Sequence, residues 1–236
     1  LETFFSSHPQ SFNQSEDCLY LNIWSQDNAY TNKPVIIYFY GGGFVNGHGS
    51  QELYTPEHIV KQHDVIVVTF NYRLGALGFL DWSYFNHNYD KNNGLSDQIN
   101  VLKWIHTFIK DFGGNPNNVT LMGQSAGSMS IMALMQQPEL DQYYHQVILL
   151  SGTLRLDSNL LGQEKAAHFI SLKNTHFPKK SITDLTTMDI LSLMSADEAS
   201  RGKSKGLELI YAPIKEPNMS RPLSKFKKPL IVGTTK

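Results

Sequence analysis

Cysteine is all but missing from this chain. Cys18 is the only one in 236 residues, so no disulfide can close within the chain and no cysteine cluster can hold a metal. Long apolar runs are missing too: none approaches the ~20 residues that a bilayer-crossing helix needs. Neither sign of charge dominates. Lys and Arg number 20 against 21 Asp and Glu, a net charge of −1, which gives no bulk pull toward nucleic acid or a membrane surface. The glycine runs carry neither a following Gly-Lys-Ser/Thr nor a Gly-x-Gly-x-x-Gly spacing, which disfavours phosphate and dinucleotide loops. Repeats and low-complexity tracts are absent. The chain starts at Leu1 with no Met and no signal-peptide pattern, which suggests a fragment or a processed chain and leaves its compartment open.

What is present is the composition of a soluble globular protein, 41% apolar and 17% charged, long enough for one large domain or two small ones. Short apolar runs rich in Val, Ile, Tyr and Phe predict strands over Leu19 to Trp24, Val35 to Tyr40, Val65 to Asn71, Val119 to Met122, Val147 to Leu150 and Leu230 to Val232. Their near-continuous apolar character suits a mostly parallel sheet covered on both faces. Between Leu95 and Phe112, the residues Ile99, Leu102, Ile105, Phe108 and Ile109 recur at helical spacing. Strands alternating with helices predict an open α/β sheet with crossover helices. The stretch 153–228, with helical patterns around Glu164 to Leu172 and Asp189 to Met194, separates two sheet strands. An insertion of that size is either a cap over a substrate pocket or a surface subdomain without a binding role.

The most informative motif is Gly123-Gln124-Ser125-Ala126-Gly127, which follows an apolar run and precedes a helical one, Ser128 to Met135. Strand, Gly-x-Ser-x-Gly and helix make the setting of a nucleophile elbow. Such a turn is so tight that larger residues flanking Ser125 would collide with the neighbouring strand and helix. It would hold the Ser125 hydroxyl open to substrate and aim the Ala126 N–H and the helix N-terminus at a nascent oxyanion. A small-residue turn in an ordinary α/β protein is the plainer alternative. Three consecutive glycines, Gly41 to Gly43, follow the second predicted strand. No side chain blocks their backbone, so the N–H groups of Gly42 and Gly43 are candidate oxyanion donors beside that of Ala126. A flexible glycine turn is again the plainer reading.

Four segments together resemble the type-B carboxylesterases, the family that includes the cholinesterases. They are Glu16-Asp17-Cys18-Leu19-Tyr20-Leu21-Asn22-Ile23-Trp24, Tyr40-Gly41-Gly42-Gly43-Phe44, Asn71-Tyr72-Arg73-Leu74-Gly75 with Gly78-Phe79-Leu80, and Phe112-Gly113-Gly114-Asn115-Pro116 running on through Gly127. Gly94-Leu95-Ser96-Asp97-Gln98 is similar as well. The resemblance runs from about Ser15 to the C-terminus and is loosest across 153–228. It implies an α/β-hydrolase fold over the whole of 1–236, incomplete at both ends, and an acyl-enzyme mechanism on carboxylic esters. Ser125 would be the nucleophile, with Gly42, Gly43 and Ala126 as the oxyanion hole and no metal or organic cofactor. It also implies secretion or residence in the endoplasmic reticulum lumen, and a disulfide from Cys18 to an upstream cysteine. The sequons at Asn13, Asn118 and Asn218 add little to that.

The acid and the His of a catalytic triad would follow the nucleophile in that order. The resemblance puts the acid about two residues past Lys236 and the His much further on, so residues 1–236 alone are expected to be inactive or nearly so. Of the internal histidines, His145 and His176 are no better placed. His168 stands four residues after Glu164 on a predicted helix, the spacing of a surface pair. His48 reads as a loop residue at the pocket rim. Glu16, Asp17 and Arg73 read as structural ion-pair members, Ser151 as a residue that hydrogen-bonds near the site, and the basic residues between Arg201 and Lys236 as a solvated face. Gln124 stands where cholinesterases carry Glu, and ungapped alignment puts His8 where they carry a choline-stacking Trp. Both departures disfavour a quaternary ammonium substrate and point to small or medium uncharged acyl esters, with a lipase as the alternative. The competing reading is a non-catalytic, cholinesterase-like adhesion or ligand-binding protein. The intact Ser125 and glycine loop argue against it.

Overall fold

The structure is a computed structural model and describes residues 15–26, 31–201 and 209–235. His8 and Asn13 lie outside the described residues, as do Lys236 and part of the basic stretch that begins at Arg201. The strands are β1 (Leu21–Trp24), β2 (Lys33–Phe39), β3 (Ile66–Phe70), β4 (Gly114–Gln124), β5 (Gln146–Leu150) and β6 (Leu230–Gly233). The α-helices are α1 (Glu57–Gln62), α2 (Gly75–Phe79), α3 (Asn93–Phe108), α4 (Ala126–Leu134), α5 (Asn159–His176) and α6 (Thr187–Arg201). The strands form one sheet in the order β1-β3-β2-β4-β5-β6. Only β1 runs antiparallel to its neighbour β3; every other pair is parallel. Each predicted strand and helix therefore exists, and the mostly parallel α/β sheet is the observed architecture.

Burial follows position in the sheet. All five residues of β3 are buried, and β2 and β4 put Val35, Ile37, Phe39, Val119 and Leu121 wholly into the core. Helix α3 packs Leu102 and Ile105 inward, the face its periodicity marks. The expectation of cover on both faces fails at β6, where Ile231 is 62% and Val232 67% exposed. A strand's side chains are covered by what packs on the faces of the sheet, and among the described residues β5 is the one element in extensive contact with β6. Strand β4 also starts earlier than the apolar run at Val119 indicates. Lys33 pairs with Gly114 while Val35 pairs with Val119, an irregularity in the register that takes up Asn115, Pro116, Asn117 and Asn118. Proline, which has no ladder donor, is tolerated at such a bulge.

The β5–β6 connection, which includes 153–228, carries α5 and α6. These helices pack on each other, α6 also packs on α2, and α5 lies on the short turn Trp82–Tyr84. Beyond α6 the chain returns to the sheet through polar clamps. Asn92, buried in a left-handed conformation (φ 56°), donates from Nδ2 to the Ile214 carbonyl at 2.8 Å and accepts the Ile214 N–H at Oδ1 at 2.7 Å. Arg221 donates from Nε to the Met135 carbonyl and from Nη2 to Asp141, both at 2.8 Å. Lys228 Nζ caps the carbonyls of Asp141 and Tyr144.

Candidate active site

The elbow is built where β4 turns into α4. Ser125 sits at φ 53°, ψ −120°, a conformation that a residue with a Cβ adopts only under constraint. Three contacts supply the constraint. The Ser125 N–H donates to the Leu150 carbonyl of β5 at 2.9 Å, and its carbonyl accepts from Met129 N–H in the first turns of α4 at 2.9 Å. The flanking glycines let strand and helix close on each other. A Cβ on Gly123 would lie 2.7 Å from the Gly127 carbonyl carbon, and a Cβ on Gly127 would run into the Phe39 carbonyl oxygen of β2. Small residues at 123 and 127 are therefore a steric requirement.

The glycine loop faces this elbow. A Cβ on Gly41 would lie 2.6 Å from Gln124 Oε1 and 3.1 Å from Ser125 Cβ. Gly42 and Gly43 take φ of 122° and 63°, the region glycine enters without a Cβ penalty. The Gly42 carbonyl closes the loop by accepting from Val45 N–H at 3.1 Å and Asn46 N–H at 3.2 Å. Phe44, also at positive φ, is fully buried against Phe79, and its carbonyl accepts from Gly75 N–H at 2.6 Å. Below the loop, Tyr40 and Tyr72 stack at 4.5 Å, and the Tyr72 hydroxyl donates to the Tyr40 carbonyl at 2.9 Å. Burial pushes both phenols well above their usual range, so they are neutral packing groups. Among the described residues, the N–H groups of Gly42, Gly43 and Ala126 donate to nothing. Unspent donors in the two turns that meet at Gly41 and Ser125 are the raw material from which an oxyanion site can be built.

Other sequence candidates fall elsewhere. Arg73 pairs with Asp97, donating from its backbone N–H and Nε to Oδ2 at 2.9 Å and from Nη2 to Oδ1 at 2.8 Å. Neither Glu16 nor Asp17 forms an ion pair among the described residues: Asp17 accepts from Tyr20 Oη at 2.6 Å and Glu16 from Thr187 Oγ1. Ser151, exposed at φ 49°, gives its N–H to the Gly233 carbonyl at 2.8 Å. His145 accepts Val119 N–H at the middle of β4, six residues or ~20 Å from Ser125; burial lowers its pKa. His168 pairs with the buried Asp197 of α6 at 3.3 Å instead of with Glu164. The helical spacing was right, but a buried carboxylate on the facing helix competes better than an exposed one on the same helix. His48 lies in the loop that follows the glycines. No histidine is hydrogen-bonded to Ser125 among the described residues. Cys18 is a half-buried free thiol, its pKa raised by burial and by Asp97. No helix among the described residues is long and apolar enough to cross a membrane.

Reasoning from sequence missed Ser128. Its hydroxyl is fully buried and has no partner among the described residues, pressed against Gly152, where a Cβ would lie 2.6 Å from Ser128 Oγ. The small residue at 152 was the only available signal.

The model of the carboxylesterase family matches residues 2–235. The para-nitrobenzyl esterase of Bacillus subtilis is 36% identical over 233 residues, 94% of this chain and 47% of that protein. Acetylcholinesterase 4 of Caenorhabditis briggsae is 39% identical over 191 residues, 79% of this chain and 30% of that protein. A solved PNB esterase superposes with a TM-score of 0.87 at 34% identity, covering 98% of this chain and 49% of that one. A Geobacillus stearothermophilus carboxylesterase gives 0.77 at 30%, covering 94% and 49%. The chain thus spans about half the length of the esterases it superposes on. With the match running from residue 2 to 235 and the elbow and glycine loop in place, this chain belongs to the carboxylesterase family and has its α/β-hydrolase fold.

Proposed function

We propose that this protein hydrolyses carboxylic esters through an acyl-enzyme intermediate, with Ser125 as nucleophile. The observation that carries the reading is the constrained Ser125 (φ 53°), 3.1 Å at Cβ from where a Gly41 Cβ would stand, with the N–H groups of Gly42, Gly43 and Ala126 unspent among the described residues. Ser125 Oγ attacks the ester carbonyl carbon and a C–O bond forms. The carbonyl π pair moves onto oxygen, where the three N–H groups hold it. Collapse of that tetrahedral species breaks the bond to the alkoxy group, which leaves as the alcohol with the Ser125 proton relayed to it. Water then attacks the acyl-enzyme by the same path. Each oxyanion donor is worth roughly 3 kcal/mol in enzymes where one has been removed. The base and its orienting acid are proposed to be a His and a Glu or Asp beyond residue 236, as the family resemblance implies. No metal or organic cofactor enters the scheme.

The segment 153–228 acts in this reading as a cap on a single hydrolase domain. Support comes from Leu209, whose Cδ2 would lie 3.8 Å from a Cβ on Gly43, and from Met194 of α6, which fills the space above Gly75. The substrate class is an uncharged acyl ester, because Gln124 puts a neutral amide beside the nucleophile. Secretion or residence in the endoplasmic reticulum lumen rests on the family resemblance; the exposed Asn218 sequon is compatible with it.

Labelling of the full-length protein with a fluorophosphonate tests the reading. Covalent modification that disappears in Ser125→Ala is expected. Folded but unlabelled wild-type protein would instead favour a non-catalytic binding module.

A further inference from the structure

Helix α5 carries a buried ion pair that no motif accounts for. Lys165 Nζ contacts Asp157 Oδ2, and the two side chains are only 10% and 2% exposed. Taking both charges out of water is costly, and the cost is recovered only with tight geometry and further hydrogen bonds. One such bond is present: Lys165 Nζ also donates to the Leu209 carbonyl at 3.2 Å. The Asp157 backbone grips the same stretch further on. Its N–H donates to the Pro213 carbonyl and its carbonyl accepts from Lys215 N–H, both at 2.8 Å. One helical turn before Lys165, Gly162 brings α5 down onto that stretch, because a Cβ there would lie 2.9 Å from Ile214 Cδ1. The helix face bearing residues 162 and 165 is thus seated on 209–214, and the ammonium fixes its leading end. The side chain at that end is Leu209, which stands beside Gly43.

We infer that Lys165, held by Asp157, is a positioning residue that sets Leu209 against the glycine loop and so limits the bulk of the ester group that lies beside Gly43. The inference rests on the esterase reading above. Without the ammonium, the Leu209 carbonyl has no anchor from α5 and the leucine can swing away from Gly43. Groups too large for the wild-type site then enter. A role in stability alone would change reactivity toward small and large reagents equally.

The test uses the full-length protein and two fluorophosphonates, one with an ethoxy group and one with a branched, bulky alkoxy group. Labelling rates at Ser125 are compared in wild type, Lys165→Met and the double variant Asp157→Leu/Lys165→Met. The double variant removes both buried charges, so it keeps the test open if the unpaired Asp157 of the single variant prevents folding. The expected result is a rise of about tenfold in the bulky-to-small rate ratio, the discrimination that about one methylene group of fit supplies. An unchanged ratio in a folded double variant would overturn the inference. If neither probe labels wild type, the esterase reading falls. Hydrogen exchange at the amides of 209–214 then decides the positioning role: faster exchange in the double variant supports it, and unchanged exchange overturns it.

Discussion

The turn at Ser125 and the returning stretch 209–228 are both tightly held, by opposite means. In the elbow the decisive atoms belong to residues 123–127 and to the backbones they touch. Gly123 meets Gly127, and Gly127 meets the Phe39 carbonyl. In the returning stretch the decisive atoms are polar side chains far apart in the chain. Asn92 reaches Ile214 across 122 positions, Arg221 reaches Met135 across 86 and Lys228 reaches Tyr144 across 84. Sterics write the elbow into a short motif, whereas long-range hydrogen bonds leave no local pattern. The difference teaches that the elbow should fail all at once when one atom is added. The returning stretch should weaken in steps, clamp by clamp.

Adding atoms at Gly127 is the harshest test of that contrast. Gly127→Val would drive a branched side chain into the Phe39 carbonyl, and we expect more than about 4 kcal/mol of destabilisation, with loss of soluble folded protein. A Gly127→Val protein with a wild-type melting curve would show the elbow to be far looser than its geometry. Removing one clamp should cost less. Arg221→Met deletes charge-assisted bonds to Asp141 and the Met135 carbonyl, and an expected loss of about 2 kcal/mol can be read from urea unfolding. A loss as large as that of Gly127→Val would erase the distinction between the two regions.

Acid should loosen the same clamp gradually. Hydrogen bonding from Arg221, reinforced by its charge and that of Lys228, holds the Asp141 carboxyl below its ordinary pKa of 3.8. A depressed folded-state pKa means stability that is fully present above the unfolded value and is lost as pH falls through the folded one. The Tm advantage of wild type over Asp141→Asn should therefore be constant above about pH 5 and shrink below about pH 4. An advantage that persists unchanged to pH 2 would mean that the charge of Asp141 contributes nothing. The smallest effect is expected outside both regions. Lys61→Ala removes the exposed pair with Glu57 on α1 and should leave Tm within about a degree. A larger drop would show that exposed pairs matter here as much as the part-buried clamps.

Much of the fold was legible because its signals are local. Apolar runs of β-branched residues marked all six strands, and the spacing of Ile99, Leu102 and Ile105 marked α3. The small residues at 123 and 127 and the run Gly41 to Gly43 marked the turn at Ser125 and the loop that faces it, since a Cβ at 41, 42, 123 or 127 would collide with its neighbours. What stayed hidden depended on which elements meet. The sequence offered Glu164 to His168 by spacing, yet Asp197 on α6 takes that histidine because burial strengthens its carboxylate as an acceptor. The apolar run at Val232 predicted a covered strand, yet Val232 is exposed because no helix among the described residues packs extensively on β6. The Lys165–Asp157 pair and its grip on Leu209 left no sequence trace, because the spacing i, i+8 has no meaning until α5 lies on the segment 209–214. By itself the sequence determined element types, the strained turn at Ser125 and the glycine loop, where backbone sterics act over a few residues. Only tertiary structure decided the polar partnerships and the burial of β6, because those follow from the order of strands and the docking of helices.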